Sequence, residues 1–180
     1  SISRTKNATA GATVPHGLSQ APEMIIIKDI GTSNNWMVYH KNAGQGKSNA
    51  SSHYYLSLDQ NIASTDSNTR WNDTAPSSSV VTLGESGHVN GPNGPDYIMY
   101  CWHGVTGASA FGTYTGSTSS PYVTETIGFK PSFLMVKCIS TTGDWEIVDS
   151  YRDSASPVTT ALFGNLNNAE SSLSAFTTTF

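Results

Sequence analysis

Charge is scarce in this chain: Asp, Glu, Lys and Arg together make up 12% of its 180 residues, roughly half the share usual in soluble domains. The nine Lys and Arg are scattered and the formal net charge is −4. Phosphate backbones are bound by clustered bases, so nucleic acid is excluded as the main partner. Long apolar runs are missing as well. The runs present, such as 24–27 and 97–102, are strand-sized, far below the ~20 residues of a membrane-crossing helix, and no membrane insertion is expected. Cysteine is limited to Cys101 and Cys138, each inside an apolar strand-like run. Small disulfide scaffolds use more cysteines at closer spacing, so the pair reads as two buried free thiols, with a bond between them as the alternative. Helical periodicity is nearly absent, because Gly, Pro, Asn and Ser interrupt almost every window, and only 168–175 fits a short helix. The opening Ser1-Ile2-Ser3 has neither an initiator Met nor a charged-then-apolar signal segment, and the chain is expected to be part of something longer.

Ser, Thr, Asn and Gly fill the polar positions instead. A neutral, hydroxyl-rich surface suits extracellular or particle-bound life, where neighbours and sugars are met by hydrogen bonds more than by charge. Strand signals recur at 23–28, 36–40, 54–58, 80–83, 97–103, 132–138 and 145–149, each short, apolar or alternating, and bounded by turn residues. That many short strands imply a sandwich or barrel. The Asn, Gly and Pro of 90–96 predict a tight connection, and the polar stretch 42–52 a longer loop.

The strongest internal signal is a repeat. Pro22-Glu23-Met24-Ile25-Ile26-Ile27-Lys28 aligns without gaps on Pro131-Ser132-Phe133-Leu134-Met135-Val136-Lys137, and the same 109-residue offset carries Ile30 to Ile139, Thr32 to Thr141 and Trp36 to Trp145. Each copy reads as a β-hairpin, with its turn at 31–35 in one and 140–144 in the other. Both leading strands are apolar on both faces, which places them as central core strands inside a sandwich. The lysine ending each, Lys28 or Lys137, is expected to carry its charge out to solvent on a packed aliphatic stem. The organisation expected is a first unit over 1–116 and a second, incomplete copy over 117–180, packed as one sandwich domain. The second copy stops where its last strands would begin, so either further residues or a strand from a neighbouring subunit would complete it.

Chemical motifs are sparse. Gly84-Glu85-Ser86-Gly87-His88 has His88 where a nucleophile elbow needs its second Gly, so it reads as a hairpin loop. Gly44-Gln45-Gly46-Lys47-Ser48 ends like a phosphate loop, but Lys41 stands where the first Gly belongs. The histidines His16, His40, His53, His88 and His103 show no metal-ligand spacing, and neither a metal nor a cofactor is expected. Asp144, Glu146 and Asp149 cluster around the second hairpin and Asp73 follows Trp71, positions that suit turn and rim roles. The Asn-x-Ser/Thr triplets at Asn7, Asn49 and Asn72 are acceptors for glycans only in a eukaryotic secretory pathway. Aromatic rings beside polar turns remain. Flat rings flanked by Asn, Asp or His stack on sugar faces while the polar groups bond hydroxyls. The glycan-contact candidates are Trp71, Asn72, Asp73, Trp102 and His103, with Tyr39 and His40; Trp36 and Trp145, repeated in both copies, are assigned to packing.

Several strings resemble a repeat family of virion proteins in tailed bacteriophages, particularly marine and cyanobacterial ones. They are Val14-Pro15-His16-Gly17-Leu18, Ala21-Pro22-Glu23-Met24-Ile25-Ile26-Ile27-Lys28, Asn35-Trp36-Met37-Val38-Tyr39-His40-Lys41, Trp71-Asn72-Asp73-Thr74-Ala75-Pro76, Tyr97-Ile98-Met99-Tyr100-Cys101-Trp102, Phe111-Gly112-Thr113-Tyr114-Thr115-Gly116 and Gly128-Phe129-Lys130-Pro131. The resembling proteins usually continue further and show Tyr-Thr-Gly where this chain has Arg4-Thr5-Lys6. The resemblance implies a tail-fibre or other structural protein of the particle, with no catalytic residues to carry over. The expectation is therefore an all-β antiparallel sandwich of jelly-roll type in a homo-oligomer, a trimer if it belongs to a fibre. Its expected work is binding host-surface polysaccharide without catalysis, from a place on the virion among other virion proteins. The alternatives are a head decoration or capsid-fibre protein, and a polysaccharide depolymerase with acids converging beside Trp71 or Trp145.

Overall fold

The run Met24–Asp29 places Ile25 and Ile27 on one face and Met24, Ile26 and Lys28 on the other, and such a strand needs cover on both sides. The computed structural model, which describes residues 9–92, 96–117, 127–154 and 158–172, supplies that cover. Its strands are β1 (Ala12–Pro15), β2 (Met24–Asp29), β3 (Met37–His40), β4 (Tyr54–Ser57), β5 (Thr65–Asp66), β6 (Val80–Leu83), β7 (Tyr97–Trp102), β8 (Phe133–Lys137), β9 (Trp145–Asp149), β10 (Thr160–Phe163) and β11 (Ser171–Ser172). The helical pieces are single turns, α1 (Asn68–Trp71), α2 (Gly87–Asn90) and a 3-10 turn at Ser51–His53. Strands pair antiparallel in a five-stranded sheet ordered β5-β4-β3-β2-β7, a four-stranded sheet ordered β11-β10-β9-β8, and a ribbon of β1 with β6. The fold is all-β and sandwich-like.

The five-stranded sheet is the middle layer. On one face Ile25, Ile27, Met37 and Tyr39 pack against Val14, Val81 and Leu83 of the ribbon and against Trp71 and Val89 of the helical turns. On the other, Ile26, Val38 and Leu56 meet Trp145 and Met135 of the four-stranded sheet. The Trp145 indole crosses the gap and donates to the Ser57 carbonyl at 2.7 Å, as Trp71 does to the Tyr54 carbonyl at 3.1 Å. Both tryptophans thus bond to the backbone of β4, which satisfies their buried N–H groups.

The two aligned stretches form hairpins of one register. Met24 faces His40, Ile25 Tyr39, Ile26 Val38 and Ile27 Met37; Phe133 faces Asp149, Leu134 Val148, Met135 Ile147 and Val136 Glu146. Every pair of the first becomes a pair of the second on adding the 109-residue offset. Equivalent faces also meet, since Ile26 and Trp36 lie in one cluster with Met135 and Trp145.

Several expectations are corrected. β8 is not a central strand: among the described residues it is an edge, and Phe133 is 56% exposed. The second hairpin's other face gathers only a small cluster of Val148, Val158 and Ala161, so the second strand's apolar character reflects partial cover. No helix forms at 168–172, where Ser171–Ser172 pairs with β10 instead; the serines and asparagines there favour local backbone bonding over helix. Residues 173–175 of that expectation, Asn7, and 93–95 of the connection at 90–96 lie outside the described residues. The Gly84-to-His88 string is not a hairpin loop, because Ser86 accepts from the His88 amide at 3.3 Å and caps α2. The lysines fold back instead of reaching out. Lys28 Nζ donates to the Asn34 carbonyl at 2.5 Å, and Lys137 Nζ to that of Cys138 at 2.9 Å. Each ammonium satisfies turn carbonyls that the hairpin leaves unpaired.

The thiols are free, but not both buried: Cys101 is half-buried and Cys138 exposed. Cys138 occupies the repeat position of Asp29. Fully buried Asp29 accepts from the Gly31 and Thr32 amides at 2.8 and 3.2 Å, from the Thr32 hydroxyl at 2.5 Å and from Asn34 Nδ2 at 2.9 Å. Burial pushes its carboxyl upward, but these bonds outweigh it and hold the group below the usual carboxylate range. A lowered folded pKa contributes stability that is complete above the unfolded value, about 3.9, and is lost as pH falls through the folded one. Asp29→Asn should therefore flatten that acid limb of urea unfolding midpoints while lowering stability at pH 7. Cys138 sits in the same turn with its Sγ 3.4 Å from Thr141 Oγ1 and 3.6 Å from Ser140 Oγ. Those hydroxyls and the two amides outweigh burial and draw the thiol down to about 6, whereas burial pushes Cys101 up to about 11. Alkylation followed by peptide mass mapping should modify Cys138 with a rate that levels off above about pH 7, and leave Cys101 nearly untouched below pH 9.

Candidate functional site

The middle sheet ends where β2 begins and β3 and β7 finish, and register puts His40, Met24 and Trp102 in one row there. Tyr97, Met99 and Cys101 of β7 pack toward the ribbon, so alternation sends Ile98, Tyr100 and Trp102 to the opposite face. The four-stranded sheet covers that face over β3 and β4, through Val38 and Leu56. β7, on the far edge, is left open among the described residues. Tyr100 is 44% exposed and Trp102 41%, and their rings lie nearly parallel, 16° apart, with centroids at 5.9 Å. The result is an exposed platform of two near-parallel rings.

A polar rim borders it. Glu23 stands at the start of β2 with its amide donating to the Trp102 carbonyl at 2.8 Å. Its carboxylate takes the Lys41 ammonium and, at 2.5 Å, the Gly104 amide. Burial alone would raise the Glu23 carboxyl, but the bonds from Lys41 and Gly104 with the Lys41 and His103 charges hold it below the usual range. Glu23 Oε2 also lies where a Cβ on Gly104 would stand, at 2.8 Å, so a side chain there would displace the carboxylate. His103 Nδ1 lies 2.6 Å from Gln20 Nε2 and 2.8 Å from the Gly104 carbonyl, which Gln20 also reaches at 3.1 Å. Ser109 donates to the His103 carbonyl at 3.1 Å. His40 is held under the tilted Phe111 ring at 6.4 Å and accepts from the Asn42 amide at 3.1 Å. Burial first, then the Lys41 charge, push its imidazole down to about 4 against the pull of Glu23, so it is neutral at physiological pH.

The predicted residues separate. Trp102 and His103 belong to this exposed end, and His40 lies in the same row two strands away. Tyr39 alternates to the ribbon side and meets Trp71 edge-on at 5.7 Å, and with exposures of 5% and 1% neither offers a ring face to a ligand. Asn72 and Asp73 follow α1 on that same ribbon side, both left-handed at φ 50°, with Asp73 Oδ1 3.2 Å from His53 Nδ1. They are remote in topology from Trp102. Sequence reasoning missed Tyr100, Gln20, Glu23 and Gly104. The signal for Tyr100 was present: two residues before Trp102 in an alternating strand is the same face. For Glu23 and Gly104 none was, because their meeting depends on sheet order. Among the described residues no three His, Cys, Asp or Glu side chains converge as a metal set, and no helix is long and apolar enough to cross a membrane.

One family model, described as a domain of unknown function (DUF7483), matches residues 1–179. No curated protein and no solved structure matches the chain.

Proposed function

The chain belongs to the DUF7483 family, and we propose that it is a non-enzymatic module of a bacteriophage tail fibre that binds host-surface polysaccharide through the Tyr100 and Trp102 platform. The observation that carries this reading is the exposed, near-parallel ring pair with bonded polar groups around it. The exposed aromatic surface of the pair offers apolar contact to the axial C–H faces of sugars, and Gln20, His103, Glu23 and Lys41 beside it offer donors and acceptors to hydroxyls. Rings so exposed contribute little to folding, so their position is better explained by a ligand than by packing. The virion setting rests on the string resemblances, which include Tyr97 to Trp102 itself. Copies of the chain, three in a fibre, would add many weak contacts into firm attachment.

The depolymerase alternative asks for acids in a groove beside Trp71 or Trp145. Both rings are buried, and Glu23, the acid beside the platform, is already engaged by Lys41 and Gly104. Purified protein incubated with host cells and their polysaccharide is expected to bind without generating new reducing ends. Sugar release would overturn the non-enzymatic reading, and gold labelling on the head instead of the tail of intact particles would replace the adhesin by a head-decoration role.

A further inference from the structure

The offset that superposes the hairpins carries the rim of the first platform to an unlike end of the second. Glu23 becomes Ser132, Lys41 becomes Ser150, Asn42 becomes Tyr151 and Ala21 becomes Lys130. The backbone is conserved between copies: the Lys41 amide donates to the Glu23 carbonyl at 2.8 Å, and the Ser150 amide to the Ser132 carbonyl at 3.0 Å. The side chains differ in a directed way. In the first copy a protein carboxylate fills the strand end and is bonded by a lysine and an amide. In the second the carboxylate and its lysine are both replaced by serines, and a cavity of about 350 Å³ opens, lined by Lys130, Pro131, Ser132, Ser150 and Tyr151. Lys130 has no ion pair or hydrogen bond among the described residues, while the adjacent Asp149 is met by Arg152 and by the Tyr151 and Arg152 amides at 3.2 and 2.8 Å. Tyr151 is 94% exposed, beside Phe133 at 56%.

We propose that this cavity is a second saccharide subsite, selective for a sugar unit bearing a carboxylate. The ligand's acid group takes the place that Glu23 fills in the first copy and pairs with Lys130, the Ser132 and Ser150 hydroxyls bond its ring hydroxyls, and the Tyr151 ring lies against its C–H face. The volume is at the small end of the ~300–1,000 Å³ common for ligand pockets, which fits one or two sugar rings. The inference rests on the polysaccharide-binding reading for its ligand class and adds position and charge.

The test is an amide-resolved NMR titration of the whole chain with oligogalacturonate, oligoguluronate and sialyllactose, set against neutral maltotriose and cellotriose. At least one acidic sugar should shift the Ser132, Ser150 and Tyr151 amides, and Lys130→Gln should weaken that response about tenfold, the loss of one charge-assisted contact. Neutral sugars should shift the Tyr100 to His103 amides equally in both proteins. If acidic sugars shift only the platform, or the pocket response survives Lys130→Gln unchanged, the subsite is refuted and the polysaccharide reading stands. If no sugar shifts either place, both fall.

Discussion

Trp145→Ala is expected to lower the unfolding free energy by about 3–5 kcal/mol, the usual cost of truncating a buried aromatic. That would be a large part of the ~5–15 kcal/mol available to a domain. The argument is geometric. Trp145, 4% exposed, is the main side chain that the four-stranded sheet sends into the middle layer, where it packs with Ile26, Val38 and Leu56. Its loss also removes the shorter of two hydrogen bonds to the Ser57 carbonyl, the indole N–H at 2.7 Å, and leaves the Gln60 amide at 3.3 Å. Trp145→Phe separates the two effects, keeping most of the volume while removing the donor, and should cost roughly 0.5–1.5 kcal/mol for the lost hydrogen bond, since the Ser57 carbonyl keeps the Gln60 amide. Trp36, at the equivalent repeat position but only partly buried, should cost less on truncation. Urea titrations of the three variants give the ranking, and equal costs for Trp145→Ala and Trp36→Ala would show that the sheets do not depend on this crossing contact.

The second large effect is on binding. Tyr100→Ala with Trp102→Ala is expected to weaken association of the monomeric chain with host polysaccharide by roughly 30-fold, the equivalent of ~2 kcal/mol for removing a central aromatic contact. Attachment in an oligomeric fibre should fall further, because each site's loss multiplies. Stability should change by less than about 1 kcal/mol, since both rings are over two-fifths exposed on an edge strand. Glycan-array or surface-plasmon binding alongside urea midpoints distinguishes a contact residue from a packing one. Unchanged binding at unchanged stability would remove the platform from the proposal. Tyr39→Phe serves as the opposite control, because its ring is buried against Trp71 and faces no solvent.

What the sequence shows best is what local pattern dictates. The alternation and turn residues located β2, β3, β4, β6, β7, β8 and β9 to within about two residues, and the matching strings anticipated hairpins of one register. Shorter elements escaped. β1 contains Pro15 and only four residues, and β5 and β11 contain two each, too few for a period to show. α1 and α2 are single turns, below the length at which a helical face becomes visible. Layer order was the deeper gap. An apolar strand declares that it wants cover, not how much it finds, so β2 and β8 read alike although one is central and the other an edge. The same gap divided the site: Trp102 and Trp71 look equivalent as Trp beside a polar residue, and only the sheet's two sides tell them apart.

The meeting of corresponding faces in the two hairpins sets like patches against each other inside a single polypeptide, whereas separate chains would bring such patches together only at sufficient concentration. Because the hairpins are covalently joined, their far ends differ without loss of that contact: one end is closed by Glu23 and Lys41, and the other is lined by an exposed Lys130 and the hydroxyls of Ser132 and Ser150.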